Sequence, residues 1–182
     1  MFYHLGNDPE VKQRCYAEID ELFSGKQPGE LPSFSDIKGL RYLRMVLKET
    51  LRLYPGAPMR GRSAVQDDSP VESLAIEKDM IVVFDFLSCH LNPEYWPDPE
   101  RFDPERFSEE QERLRPSHYF VPFGGGVRRC IGEQFAINEA LTVTAVALRH
   151  LDVIVDPSIE IVREMTLTMR SKNPINVVFK AR

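Results

Sequence analysis

The sequence predicts a mainly α-helical domain with small β-sheets, an α+β fold. Apolar residues recur at helical spacing in three segments. The β-branched runs between and after those segments are short. The 14 prolines fall between elements rather than in a repeat. A length of 182 residues corresponds to one domain, by a soft prior of roughly 150 residues each. Hydrophobic residues at 42% and charged residues at 28% are close to globular averages and exclude a wholly disordered chain. The formal charge is −5 and no Lys/Arg block occurs, which argues against a dedicated nucleic-acid binder, and no nucleic-acid partner is expected.

The elements follow in order. Asp8-Pro9-Glu10 starts a helix with an N-cap, a proline in the first turn and an acid beside it. Val11, Cys15, Ile19 and Leu22 continue it at helical spacing. Ser24–Pro32 is a breaker-rich loop. A second helix runs from about Ser35 or Leu40 to Leu53, and Pro55-Gly56 ends it. Extended pieces are expected at Ala57–Val65, Ser73–Ile76 and Met80–Phe86. From Asn92 to Pro122 the chain is mostly irregular, a length that is unusual in a compact domain and often functional. A third helix spans about Ile131 to His150, with Phe135, Leu141, Val143, Val146 and Leu148 giving a broad apolar surface. The tail carries strand-like pieces at Val153–Val155, Ile159–Met169 and Ile175–Phe179, with Ser171–Pro174 expected as the turn between the last two. No solenoid period and no dividing linker occur, so residues 1–182 read as one unit.

The first residues contain no signal-peptide apolar region. The longest uninterrupted apolar run is Met80–Phe84, far short of the roughly 20 residues a spanning helix needs. No membrane span is expected, and the chain reads as soluble and intracellular. Three cysteines without CxxC spacing suggest neither a disulfide framework nor a zinc site. Cys15 and Cys89 read as small buried hydrophobes.

Cys130 has different neighbours, in the stretch Phe123-Gly124-Gly125-Gly126-Val127-Arg128-Arg129-Cys130-Ile131-Gly132. Glycines let backbone approach a flat ligand and adopt positive φ. A cysteine where a helix begins, just after two arginines, is favoured as thiolate, a soft ligand suited to iron or another transition metal. The plainer reading is a glycine loop that turns into a helix. Phosphate binding lacks the Lys-Ser/Thr that a P-loop needs.

These ten residues match the haem-binding signature of the cytochrome P450 superfamily, F-x-x-G-x-R-x-C-x-G, at every fixed position. Glu49-Thr50-Leu51-Arg52 resembles the family's E-x-x-R on its K helix. Phe102-Asp103-Pro104-Glu105-Arg106-Phe107 resembles the F-x-P-E-R-F of its meander, although a near copy, Pro99-Glu100-Arg101-Phe102, precedes it. The resemblance runs from the J helix through the K helix, meander, cysteine loop and L helix to the C-terminal strands. It implies the C-terminal portion of the cytochrome P450 fold.

By that resemblance, Cys130 supplies the axial thiolate to the iron of haem b and Arg128 pairs with a haem propionate. Phe123 packs beside the ligand, while Gly126 and Gly132 let the loop and helix lie close to the porphyrin. Arg62 is the second propionate arginine, with Arg60 on the same strand face. His118 is either a further propionate contact or an ordinary histidine. Glu49 and Arg52 lie about 60° apart around their helix, opposite Leu40, Leu47 and Leu51. They form either an exposed pair or, as the family implies, a buried network with Arg106.

The resemblance also implies parts that these residues do not contain, namely the I helix with its oxygen-activating pair and the C helix. Catalytic residues of the distal side are therefore not identifiable. Phe2-Tyr3-His4-Leu5 resembles the end of the I helix. The helix from Ile131 and the K helix are expected to expose apolar faces. The implied activity is a haem-thiolate monooxygenase that inserts one oxygen atom into a small organic or lipid substrate, with an NADPH-dependent reductase or ferredoxin as electron donor. The donor is expected on the cysteine side, where Arg113, Arg115 and Arg129 offer positive charge, although a solvated charged face accounts equally well for Arg113 and Arg115. Alternatives are a non-catalytic haem-binding or interaction fragment, and a haem-thiolate isomerase or dehydratase. The last commonly carries an insertion in the cysteine loop, which residues 123–132 lack.

Overall fold

The N-terminal helices α1 (Phe2–Asn7) and α2 (Pro9–Phe23) are joined by Asp8, whose carboxylate accepts the Val11 N–H at 3.0 Å. A computed structural model describes residues 1–27 and 29–182, so residue 28 of the expected 24–32 loop lies outside the described residues. The second predicted helix is two helices, α3 (Phe34–Gly39) and α4 (Arg41–Leu53). Ser33 and Asp36 form a reciprocal capping box that starts α3, and Leu40 leaves helical geometry and breaks the run. No side chain of its own caps α4. Instead the carboxylate of Glu18, on α2, accepts the N–H groups of Tyr42 and Leu43, both at 2.8 Å. An acid on a neighbouring helix thus satisfies two of the donors that every helix start leaves open.

Beyond α4 the chain forms β1 (Met59–Ser63), β2 (Asp68–Val71), β3 (Leu74–Ile76) and β4 (Ile81–Asp85), then the short helix α5 (Phe86–Leu91). Strand β1 pairs antiparallel with β4, Arg60 opposite Phe84 and Arg62 opposite Val82. Strand β2, inside the exposed pair β2–β3, was not anticipated: it contains Pro70 and has no buried face to impose an alternating pattern.

The 92–122 stretch is mostly irregular, as expected, but it contains α6 (Glu109–Leu114) and 3₁₀ turns at Pro104–Phe107 and Ser117–Tyr119. Trp96 anchors this stretch with no exposure, and its indole N–H donates to the Cys89 carbonyl at 3.1 Å. Helix α7 (Glu133–His150) begins two residues later than predicted, after Gly132. The tail forms β5 (Leu151–Val155), β6 (Arg163–Met165), β7 (Met169–Ser171) and β8 (Val177–Ala181). The Ser171–Pro174 turn does not join a hairpin: β7 pairs back with β6, and β8 pairs with β5.

The core lies where α1, α2, α4, α7 and β5 meet. Leu5, Cys15, Ile19, Leu43, Val46, Leu141, Leu148 and Val153 are buried there. Each such aliphatic side chain contributes about 1.5–3 kcal/mol. Close approach of α1 to β5 is possible because position 6 is glycine: a Cβ there would lie 2.3 Å from Val155 Cγ2.

Two expectations about exposure are corrected. Cys15 is buried, but Cys89 is exposed, because it lies on the open side of α5 beside the cavity described below. Helix α7 does expose Phe135 and Val143, yet α4 is covered, with Tyr42, Leu43, Val46, Leu47, Glu49, Arg52 and Leu53 all buried. The other exposed apolar side chains include Ile81, Val83 and Phe84 on β4, and Val127 and Ile131 in the cysteine loop. No described helix is long and apolar enough to cross a membrane.

Candidate functional site

Two constructions meet around the cysteine loop. The first is a buried ion pair on α4. Arg52 donates through Nε and Nη2 to the two carboxylate oxygens of Glu49, at 2.7 and 2.8 Å, and both side chains are fully buried. The fork is bidentate, the stronger geometry for such a pair. The other donors of Arg52 go to carbonyls, His90 at 2.9 Å and Arg101 at 3.3 Å. Glu49 also accepts the Asp103 N–H at 2.9 Å. Burial pushes the Glu49 carboxyl up, while Arg52, the Asp103 amide and Arg106 pull it back.

Arg106 stands at the edge of this pair, its Nε 3.5 Å from Glu49. That Nε is buried without a hydrogen-bond partner, and the guanidinium is fixed instead by Nη2 donating to the Asp98 carbonyl at 3.0 Å. The near copy of the P-E-R-F segment has other contacts. Its Glu100 forms a two-pronged pair with Arg163, Phe102 stacks on His4 at 4.0 Å, and Arg101 enters the network only through its carbonyl.

The second construction is a cavity of about 790 Å³ between the cysteine loop, the β1–β4 pair and α5. Phe123, Gly126, Arg128 and Cys130 line one side, Arg60 and Arg62 the β1 side, and Cys89 and His118 also border it. The loop is shaped by a 3.0 Å bond from the Cys130 N–H to the Phe123 carbonyl and by positive φ at Gly126, +64°, where a side chain would be strained. Gly132 is different: its backbone is ordinary, and an added Cβ would meet only Cys130 Sγ, at 3.8 Å. Three guanidiniums and an imidazole border the space against one carboxylate, Asp85, which is engaged by the Ser88 N–H at 3.0 Å and hydroxyl at 2.6 Å. Arg62 donates to the Gly61 carbonyl at 3.0 Å, and both Arg60 and Arg62 border the cavity.

Glycine backbone, one cysteine and a surplus of cations around a wide, largely apolar space fit a flat anionic macrocycle gripped through sulfur. Among the described residues no cluster of three His, Cys, Asp or Glu exists that would hold a bare metal ion instead.

The cationic face expected for an electron donor is weaker than anticipated. Arg113 pairs with Glu109 and Arg129 with Glu133, four residues apart in each case. Arg115 is half-buried, its guanidinium 3.9 Å over the Trp96 ring, where the indole face attracts it.

Sequence reasoning missed His90 and Trp96. The lone tryptophan was the available signal for a core anchor; the burial of His90 depends on the irregular chain that folds over it.

Together the fold and this site describe a class of protein that takes a haem on a cysteine. The chain belongs to the cytochrome P450 family, whose family model matches residues 1–179 and implies a cysteine-ligated haem. It is 36% identical over 184 residues to human cytochrome P450 4F12, covering 97% of this chain and 35% of that protein. It is also 36% identical over 177 residues to the taurochenodeoxycholic 6 alpha-hydroxylase of Sus scrofa, covering 97% of this chain and 34% of that one. Among solved structures, a cytochrome P450 (CYP102L1) superposes with a TM-score of 0.89 at 34% identity, over 100% of this chain and 40% of that one. The chain thus spans about a third of the length of the curated relatives it matches.

Proposed function

We propose that this chain carries the cysteine side of a haem-thiolate monooxygenase that inserts one oxygen atom into an organic substrate of lipid character. The observation that carries the reading is Cys130 bordering, from a glycine loop, a cavity with arginines on two sides. Haem, when bound, supplies oxygen activation that a thiolate ligand favours. The roles of the chain's own residues follow from placement. Cys130 holds the iron, its backbone fixed by the Phe123 carbonyl. Arg128 on the loop and Arg62 or Arg60 on β1 take the propionates as charge-assisted pairs. Gly126 keeps side chains off that face. Glu49, Arg52 and Arg106 fix the irregular segment that leads into the loop.

The reaction type is supported by the pig relative, a hydroxylase by name. The electron donor in this reading is an NADPH-dependent reductase or ferredoxin. The uninterrupted 123–132 loop favours oxygen insertion over the isomerase and dehydratase chemistry.

The test is the ferrous–CO spectrum of protein produced with haem supply. Wild type is expected to show the red-shifted thiolate Soret band, and Cys130→Ser to lose it. An unchanged band in Cys130→Ser removes the proposal.

A further inference from the structure

We infer that His90 is the positioning residue of the cysteine loop: its ring nitrogen and its carbonyl join that loop to the buried Glu49–Arg52 pair. The inference rests on the reading of Cys130 as haem ligand. His90 is the penultimate residue of α5 and is fully buried. Its backbone and its ring bond to different segments. The carbonyl accepts Arg52 Nη1–H at 2.9 Å. The ring Nε2 accepts the Val121 N–H at 3.0 Å. Val121 is two residues before Phe123, whose carbonyl holds the Cys130 N–H at 3.0 Å. A continuous set of contacts therefore runs from the ion pair, through one histidine, to the backbone of the cysteine.

The ring's own chemistry sharpens this. A backbone N–H can only donate, so Nε2 must be bare and the ring proton must sit on Nδ1. Nδ1 is buried and has no partner among the described residues. An unpaired buried N–H is costly. A residue needed there only to fill space beside Phe120, whose ring centroid is 5.4 Å away, would be better served by a hydrocarbon. The imidazole has a use in its other nitrogen. Burial and the Arg52 guanidinium also keep the ring neutral, its pKa lowered to about 4, although the Arg52 backbone beside the ring opposes the shift. The nitrogen thus stays an acceptor at neutral pH.

The experiment compares wild type, His90→Phe and His90→Gln, all produced with haem supply and isotope labelling. Phenylalanine keeps a flat ring without an acceptor; the glutamine amide oxygen reaches the region of Nε2. In wild type, histidine nitrogen NMR is expected to show a bare Nε2 and a protonated Nδ1. His90→Phe is expected to speed amide exchange at Val121 by roughly tenfold or more, leave α2 amides unchanged, and lower the thiolate fraction of the ferrous–CO band at equal haem content. His90→Gln is expected to recover both. The inference is overturned if the wild-type ring carries its proton on Nε2 or is charged at neutral pH. It is equally overturned if Val121 exchange and the band are unmoved in His90→Phe, or if Phe and Gln variants behave alike. Should neither variant fold, the wild-type tautomer still decides. A wild type without haem but with slow Val121 exchange and a bare Nε2 overturns the Cys130 reading and upholds the His90–Val121 joint.

Discussion

Glu49 and Arg52 are three residues apart on α4 and neither touches solvent. Removing either charge strands the other in the interior, at a cost of about 3–5 kcal/mol. Glu49→Ala and Arg52→Ala are therefore expected to lower the denaturation midpoint sharply and to abolish haem incorporation. Holo yield equal to wild type in either variant contradicts the role given to the pair. Helical spacing showed the two side chains on one face of α4, opposite Leu47 and Leu51. It did not show that this face is covered too. The cover is Trp96, Asp103 and the 3₁₀ turn at Pro104–Phe107, all from a stretch with no periodicity to read. That Cys130 and Arg128 border one cavity follows from a contiguous stretch of sequence, whereas the burial of His90 is a tertiary product.

Elements whose ends carry their own chemistry were legible, and those made by distant pairing were not. Asp8-Pro9 and the Ser33–Asp36 box mark helix starts in the sequence and in the structure. The β5–β8 pair joins Leu151–Val155 to Val177–Ala181, and no local signal says that β7 should turn away to β6 instead. The packing of α1 on β5 gives a sharp test. At Gly6, a Cβ would fall 2.3 Å from one Val155 carbon and 3.1 Å from the Val155 backbone nitrogen, so the strand itself must move. Gly6→Ala is expected to destabilise by about 1–3 kcal/mol, read as a lower denaturant midpoint. A midpoint equal to wild type would mean that α1 is not held against the strand.

Over the whole molecule, two buried neutral histidines set an acid limit. Burial lowers His90 to about 4 and His4 to about 3, against an ordinary 6.5. The unfolded chain therefore binds more protons than the folded one below pH 6.5, and stability falls as pH falls from there towards 4. For His90 the loss is on the order of 3 kcal/mol. Glu49, raised by burial, opposes this slope, but it is one group against two. Denaturation midpoints are expected to drop steadily between pH 6.5 and 4; a flat profile there refutes the neutral burial of both rings. The apolar surface is also unevenly spread: α1, α2 and β5 contribute to the core, while Phe84 and Ile131 are exposed beside the cavity. Finally, the Glu18 carboxylate that receives the second and third amides of α4 belongs to α2, which a loop and α3 separate from α4. The start of the helix bearing the Glu49–Arg52 pair is thus underwritten by a neighbour. The cap that α4 lacks is thus supplied by α2, and the helix that carries the ion pair is held at its start by a residue outside it.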